Sequence, residues 1–285
     1  MNFQLKRHKM RKSIISIIIL FLSFNAFGQV RLDKRKIEDL KQSTVRILID
    51  NQARGTGFIV SSKCEIITCW HVINSAISVD SAGMVNLKKI EIEYHNGIKQ
   101  EVGIFTKLLQ ELSDSAVLYD FCLLGVMSIP KTDFKFLKPG SFSDIEEGDI
   151  VYTCGYPLGI NQQIVATGIL STKWVDTIYT PLDTVQRDVA WLDMTMNKGN
   201  SGGPVLIYNE NGEDKVIGIA TFILNPFGQH TEFLSNVIDQ SKVDVSYGGI
   251  SQMKVNKLFS DAITSNSIGV SGCIDLNHLL KTFGK

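Results

Sequence analysis

The sequence predicts an all-β fold, a barrel or sandwich, on three observations. Segments rich in Val, Ile, Thr and aromatic residues recur roughly every ten residues. Gly, Asn, Ser and Pro punctuate them, as turns require. No internal repeat, low-complexity tract or linker interrupts the series, so one compact domain of one or two β-lobes is expected. Composition agrees: of 285 residues, 44% are hydrophobic and 20% charged, too apolar for a disordered chain. Lys+Arg and Asp+Glu both number 29, and this balance gives no sign of a nucleic-acid groove or a polybasic membrane surface, so neither partner is expected.

Taken in order, residues 1–28 read as a secretory signal peptide. Lys6, Arg7, Lys9, Arg11 and Lys12 form a basic region, Ser13–Phe24 an apolar run, and Ala26-Phe27-Gly28 a small-residue cleavage site. The apolar run is short for a membrane span, so contact with a membrane is expected only if the peptide stays uncleaved. The mature chain would begin at Gln29, exported to the periplasm or secreted. Residues 29–42 are charged and read as an N-terminal arm or short helix.

Strands are expected in TVRILID, GTGFIVSS and EIITCWHV, between Thr44 and Val72. Further strands are expected at 90–95, 101–109, 121–127, 149–157, 162–170 and 188–194. Val205–Tyr208 and Val216–Ile223 flank an Asn211-Gly212 pair that reads as a hairpin turn. Beyond them Ile250–Ile263 shows a partial helical period, and a strand-like GVSGCI precedes a possible short helix at Leu276–Phe283.

The five cysteines are odd in number, so at least one is unpaired within the chain. Cys64 and Cys69 on one extended segment would lie about 16 Å apart, too far for a disulfide. Most of the five therefore read as small buried hydrophobes. No CxxC or HxxxH spacing occurs, so neither a metal site nor a cofactor is expected.

Two strings carry chemistry. Gly199-Asn200-Ser201-Gly202-Gly203-Pro204 sets a serine among glycines between β-patterned stretches. An isolated GxSG is usually a flexible turn, but here Gly199 and Ser201 can direct two backbone N–H groups into one concavity, as an oxyanion hole needs. Thr68-Cys69-Trp70-His71-Val72 ends an apolar segment and follows Gly55-Thr56-Gly57-Phe58. A lone His71 would read as structural; with a candidate nucleophile in the chain it reads as the base that a serine requires. His95, His230 and His278 stand in polar, turn-like or tail contexts.

These strings resemble the trypsin/chymotrypsin superfamily of serine proteases, and within it the bacterial HtrA/Deg-like branch, over residues 43–263. The resemblance implies a double β-barrel with short C-terminal helix or helices, a cleft between the barrels, and peptide-bond hydrolysis through an acyl-enzyme. Protein or peptide substrates are the implied partners. By resemblance the triad is His71, an Asp and Ser201, with Gly199 and Ser201 forming the oxyanion hole. Two acids fit the acid-plus-apolar-strand pattern, Asp120 and Asp114. Asp120 is favoured because Cys154-Gly155-Tyr156-Pro157 then falls at the family's spacing. Thr195, Thr221, Phe222 and Ile223 are the implied substrate-binding residues. Thr221 would place its hydroxyl beside the triad acid, Phe222 and Ile223 would pair with substrate backbone, and Met196 could also shape the pocket. Thr195, where trypsin-like enzymes carry an Asp, argues for a neutral side chain before the scissile bond.

The C-terminal part stays open. Tyr247–Ile250 and the following helical stretch resemble the family's closing strand and helix, leaving 264–285 as a tail; alternatively Gly269–Phe283 closes the domain and 224–268 is an insertion. Neither version leaves room for a PDZ domain of ordinary size. The alternative function is a catalytically silent or latent protease fold that holds a peptide or partner.

Overall fold

The structure is a computed structural model, and it describes residues 32–81, 83–105, 120–179, 184–210, 212–223, 246–247, 250–251, 254 and 270–276. The chain divides into two units, residues 1–37 and 38–285. In the first, Asp33 Oδ1 accepts the Arg35 N–H at 2.7 Å, an N-terminal cap; helix α1 runs over Lys34–Ser43. The signal-peptide reading, Asp114, and most of the C-terminal helical readings lie outside the described residues.

The second unit holds two closed six-stranded barrels, each antiparallel throughout. The first is built from β1 (Thr44–Ile49), β2 (Gln52–Ile59), β3 (Glu65–Thr68), β6 (Ile90–Glu93), β7 (Lys99–Ile104) and β8 (Cys122–Val126), in the order β1-β2-β3-β8-β7-β6. Between β3 and β6 stand a helical turn, α2 (Trp70–Ile73), and a small ribbon of β4 (Ile77–Val79) with β5 (Val85–Leu87). All six residues of β1 are buried, Arg46 included. A buried cation needs a partner: Arg46 donates to Glu93 at 2.7 Å, and also bonds Asn161.

The second barrel follows the order β10-β11-β16-β13-β12-β9. Its strands are β9 (Ile150–Gly155), β10 (Ile164–Tyr179), β11 (Thr184–Asp193), β12 (Pro204–Ile207), β13 (Lys215–Ile223) and β16 (Val270–Asp275). Its core gathers Val151, Leu170, Leu192, Met194, Val205 and Ile217. The double barrel of the sequence reading is therefore present.

Three local expectations change. EIITCWHV is not one strand: β3 stops at Thr68 and the chain enters α2, so His71 stands on a helical turn. β10 runs past 170 to Tyr179 and pairs with β11 from Ile169↔Asp193 to Tyr179↔Thr184, where the sequence reading ended the first strand at 170 and began the second only at 188. Of the two closings the sequence reading left open, Tyr247–Ile250 gives way to the later segment: β16 bonds both β11 and β13, whereas among the described residues Ser246–Tyr247 (β14) and Ile250–Ser251 (β15) pair with each other.

Candidate active site

Strand register brings His71 and Asp120 together. In the β3–β8 pair Glu65 faces Gly125 and Thr68 faces Cys122, so two residues before Cys122 the chain lies level with the start of α2. Asp120 Oδ2 sits 2.7 Å from His71 Nδ1, and Asp120 Oδ1 accepts the His71 backbone N–H at 2.9 Å. Two bonds to one carboxylate fix both the backbone and the ring. The histidine side chain is 44% exposed and the aspartate 15%, so the ring's other edge can face solvent or substrate. Asp120 holds a left-handed φ of 49°, a conformation an Asp tolerates better than most residues.

Behind this pair lies Cys69, fully buried, with Sγ 3.4 Å from Ala220 O and 3.7 Å from Thr221 Oγ1. Burial first, and then the Asp120 charge, push this thiol well above its ordinary value, so it stays protonated. Cys69, His71 and Asp120 bring three potential metal-ligating atoms within 4.8 Å of one another. The 2.7 Å spacing of Nδ1 and Oδ2 is that of a hydrogen bond. Two such ligands on one tetrahedral ion would stand about 3.4 Å apart. The trio is thus arranged as a hydrogen-bonded group.

The Ser201 loop is fastened by a residue whose role the sequence reading does not assign. Thr56, on β2, donates its N–H to Ser201 O at 2.9 Å and its hydroxyl to Gly199 O at 2.6 Å. The same hydroxyl accepts from Tyr156 N at 3.1 Å, and Thr56 O accepts from Thr68 Oγ1 at 2.7 Å. The signal is its setting, Gly55-Thr56-Gly57. A Cβ on Gly55 would come within 2.7 Å of Val72 and 2.9 Å of Ser201 O, so a glycine is what lets the loop close onto the residue next to His71. Gly202 has φ +84° and backs onto Thr56 O, Thr68 Oγ1 and Cys69 N.

Within the loop Asn200 N–H donates to Asn197 O, Gly202 N–H to Ala220 O and Gly203 N–H to Asn200 O. Among the described residues no acceptor takes the N–H of Gly199 or of Ser201. Nor does Ser201 Oγ hydrogen-bond His71 among them. Gly199 has φ +103°, with Tyr156 O 2.4 Å from where a Cβ would be, so this turn too requires glycine.

The remaining named residues separate. Thr195 is exposed. Met196 is buried in the barrel core. Thr221 donates to Ile219 O at 3.0 Å, and its side-chain partner is the Cys69 thiol. Phe222 and Ile223 pair through their backbone with Gly272 and Ser271 of β16.

Comparison with known proteins gives a consistent result. A family model described as "Trypsin-like peptidase domain" matches residues 55–219. The chain is 32% identical over 174 residues to a "Probable periplasmic serine endoprotease DegP-like" of Rickettsia prowazekii, a match covering 61% of this chain and 29% of that protein. It is 30% identical over 197 residues to human "Serine protease HTRA3", covering 67% of this chain and 39% of the relative. The chain thus spans only about a third of the length of these curated relatives. Among solved structures, one titled "HtrA-type protease AlgW with tripeptide" aligns with a TM-score of 0.53 at 18% identity, covering 87% of this chain and 61% of that one. At this identity the likeness is one of fold.

Proposed function

The chain belongs to the trypsin-like peptidase family, and from that premise we propose that it is an exported serine endopeptidase acting through Ser201, His71 and Asp120. The observation that carries the reading is the two-point hold of Asp120 on His71, at 2.7 and 2.9 Å. A carboxylate so placed fixes the tautomer with its proton on Nδ1, leaving Nε2 as a base, and stabilises the imidazolium that forms.

In the reaction, Ser201 Oγ attacks the scissile carbonyl while His71 Nε2 takes its proton. Gly199 and Ser201 N–H groups, with no acceptor among the described residues, receive the developing oxyanion. His71 then gives the proton to the leaving amine, and water resolves the acyl-enzyme by the same steps in reverse order. The Ser201–His71 bond forms when substrate orders the cleft, as catalytic hydrogen bonds often tighten only in the complex. Thr195 and the Thr221–Ile223 edge flank the acyl half of the substrate and favour a neutral side chain there. Export rests on the basic-then-apolar leader and on relatives named periplasmic; intact mass of the secreted protein should show a chain beginning at Gln29.

The test is fluorophosphonate labelling of the mature protein. Wild type should label, Ser201→Ala should not, and Asp120→Ala should slow labelling about 10⁴-fold. Asp114→Ala should label at the wild-type rate; slowing there instead would make Asp114 the acid. The resting absence of a Ser201–His71 bond favours a second reading, a latent fold that binds a peptide without cutting it. Folded wild type that fails to label, yet binds peptide, would establish that reading.

A further inference from the structure

Beside the nucleophile loop the surface opens into a cleft of about 310 Å³. It is bounded by the Arg54–Gly55 stretch of β2, by Tyr156 and Leu158 after β9, and by Lys198 and Gly199. Among the described residues its only charged lining groups are Arg54 and Lys198, and no Asp or Glu lines it. Both side chains are exposed, and neither is in an ion pair among the described residues. The one side-chain bond of Arg54 is to a neutral group, Gln52 Oε1, at 3.0 Å. A chain with equal numbers of acidic and basic residues thus sets two uncompensated cations on one cleft.

The position of the cleft says which part of a substrate meets it. Gly55 packs against Val72, the neighbour of His71, and against Ser201 O. The leaving amine takes its proton from His71, so the chain that carries it starts beside Gly55. We infer that this cleft receives the leaving-group half of a peptide substrate and that Arg54 and Lys198 select an Asp or Glu side chain in the residues directly after the scissile bond. The inference rests on the peptidase reading for its geometry.

Two exposed cations give a modest preference, because water and salt screen each pair. Together they should favour an acidic peptide over its lysine counterpart by about fivefold to tenfold at low salt. Leu158, which is 53% exposed, adds an apolar wall for the side-chain stem.

The experiment uses two fluorogenic peptides, identical up to the scissile bond and carrying Asp-Glu or Lys-Lys after it. The readout is the ratio of their kcat/KM values. Wild type should favour the acidic peptide, the ratio should shrink in high salt, Arg54→Gln/Lys198→Gln should bring it near one, and Arg54→Glu/Lys198→Glu should invert it. A wild-type enzyme that labels with fluorophosphonate and cleaves both peptides equally overturns the inference while leaving the peptidase reading intact. Equilibrium binding of the same peptides to Ser201→Ala, followed by fluorescence anisotropy, removes the dependence on turnover. If wild type does not label, tighter binding of the acidic peptide sustains the cleft as an acidic-peptide site and equal binding overturns it.

Discussion

Thr56 shows how one side chain can hold two elements. Its hydroxyl donates to Gly199 O and accepts from Tyr156 N, so the Ser201 loop, β2 and the turn after β9 meet at a single oxygen. Thr56→Val keeps the shape and removes both bonds, leaving a carbonyl and an N–H unsatisfied. The expected cost is about 1–3 kcal/mol by urea denaturation, with slower fluorophosphonate labelling as the Gly199 N–H loses its aim; Thr56→Ser should restore most of both. The sequence marked this site only by its flanking glycines. It presented Asp114 and Asp120 through the same local pattern, and what links Asp120 to His71 is the β3–β8 register, a long-range fact that local pattern does not carry. The cysteines make a second residue-scale case. All five are free and buried, and burial raises the Cys154 thiol from an ordinary 9.0 to about 12. Cys122 and Cys273 shift in the same direction for the same reason. A group whose folded value is raised contributes stability below its unfolded value and loses it as pH climbs toward the folded one. Thermal stability should therefore fall steadily from about pH 9 upward toward 12. A thiol reagent at pH 8 should find no reactive cysteine until denaturant exposes all five.

The β10–β11 ribbon is the element whose extent the sequence conceals. β9 pairs with β10 only from Ile164 to Ile169, and β16 pairs with β11 only from Val189 to Asp193. Beyond those limits the two strands have each other, and Ser171–Thr177 mixes Lys, Asp, Ser and Thr with its apolar residues, none of them buried. A strand without a buried face leaves a weak period, which is why reading for apolar alternation stops at 170. The ribbon is held instead by cross-strand contacts. Trp174 and Trp191 stack with ring centroids 5.4 Å apart, and Asp176 bonds Arg187 at 2.9 Å. At its base Lys173 Nζ donates to the carbonyls of Phe142 and Ile145. An aromatic pair of this kind is worth about 0.5–1.5 kcal/mol beyond its burial. Trp174→Ala should lower Tm measurably while labelling at Ser201 proceeds at the wild-type rate. A matching loss of labelling would instead make the ribbon part of the cleft's support.

At the scale of the molecule the two barrels are assembled differently. The first is complete by Val126, and its six strands lie within about eighty residues of one another. The second waits for β16, which enters between β11 and β13 from the far end of the chain. That strand is buried from Ser271 to Asp275, with Leu276 following it into the interior and Ser271 Oγ bonded to Met194 O at 2.8 Å. Without it β11 and β13 become open edges, and the barrel core that Met194 and Val205 help to fill is exposed to water. Ile274 and Leu276 alone bury side chains worth about 1.5–3 kcal/mol each, against a total stability of about 5–15 kcal/mol for a domain. A mature chain ending at Gly269 should therefore lose its cooperative thermal transition, aggregate through the two edges, and fail to label. The first barrel holds His71 and Asp120 but neither Ser201 nor Gly199, so on the proposed mechanism its survival would not restore labelling. A truncated chain that melted cooperatively and labelled would show that another segment, such as Tyr247–Ile250, can take the place of β16.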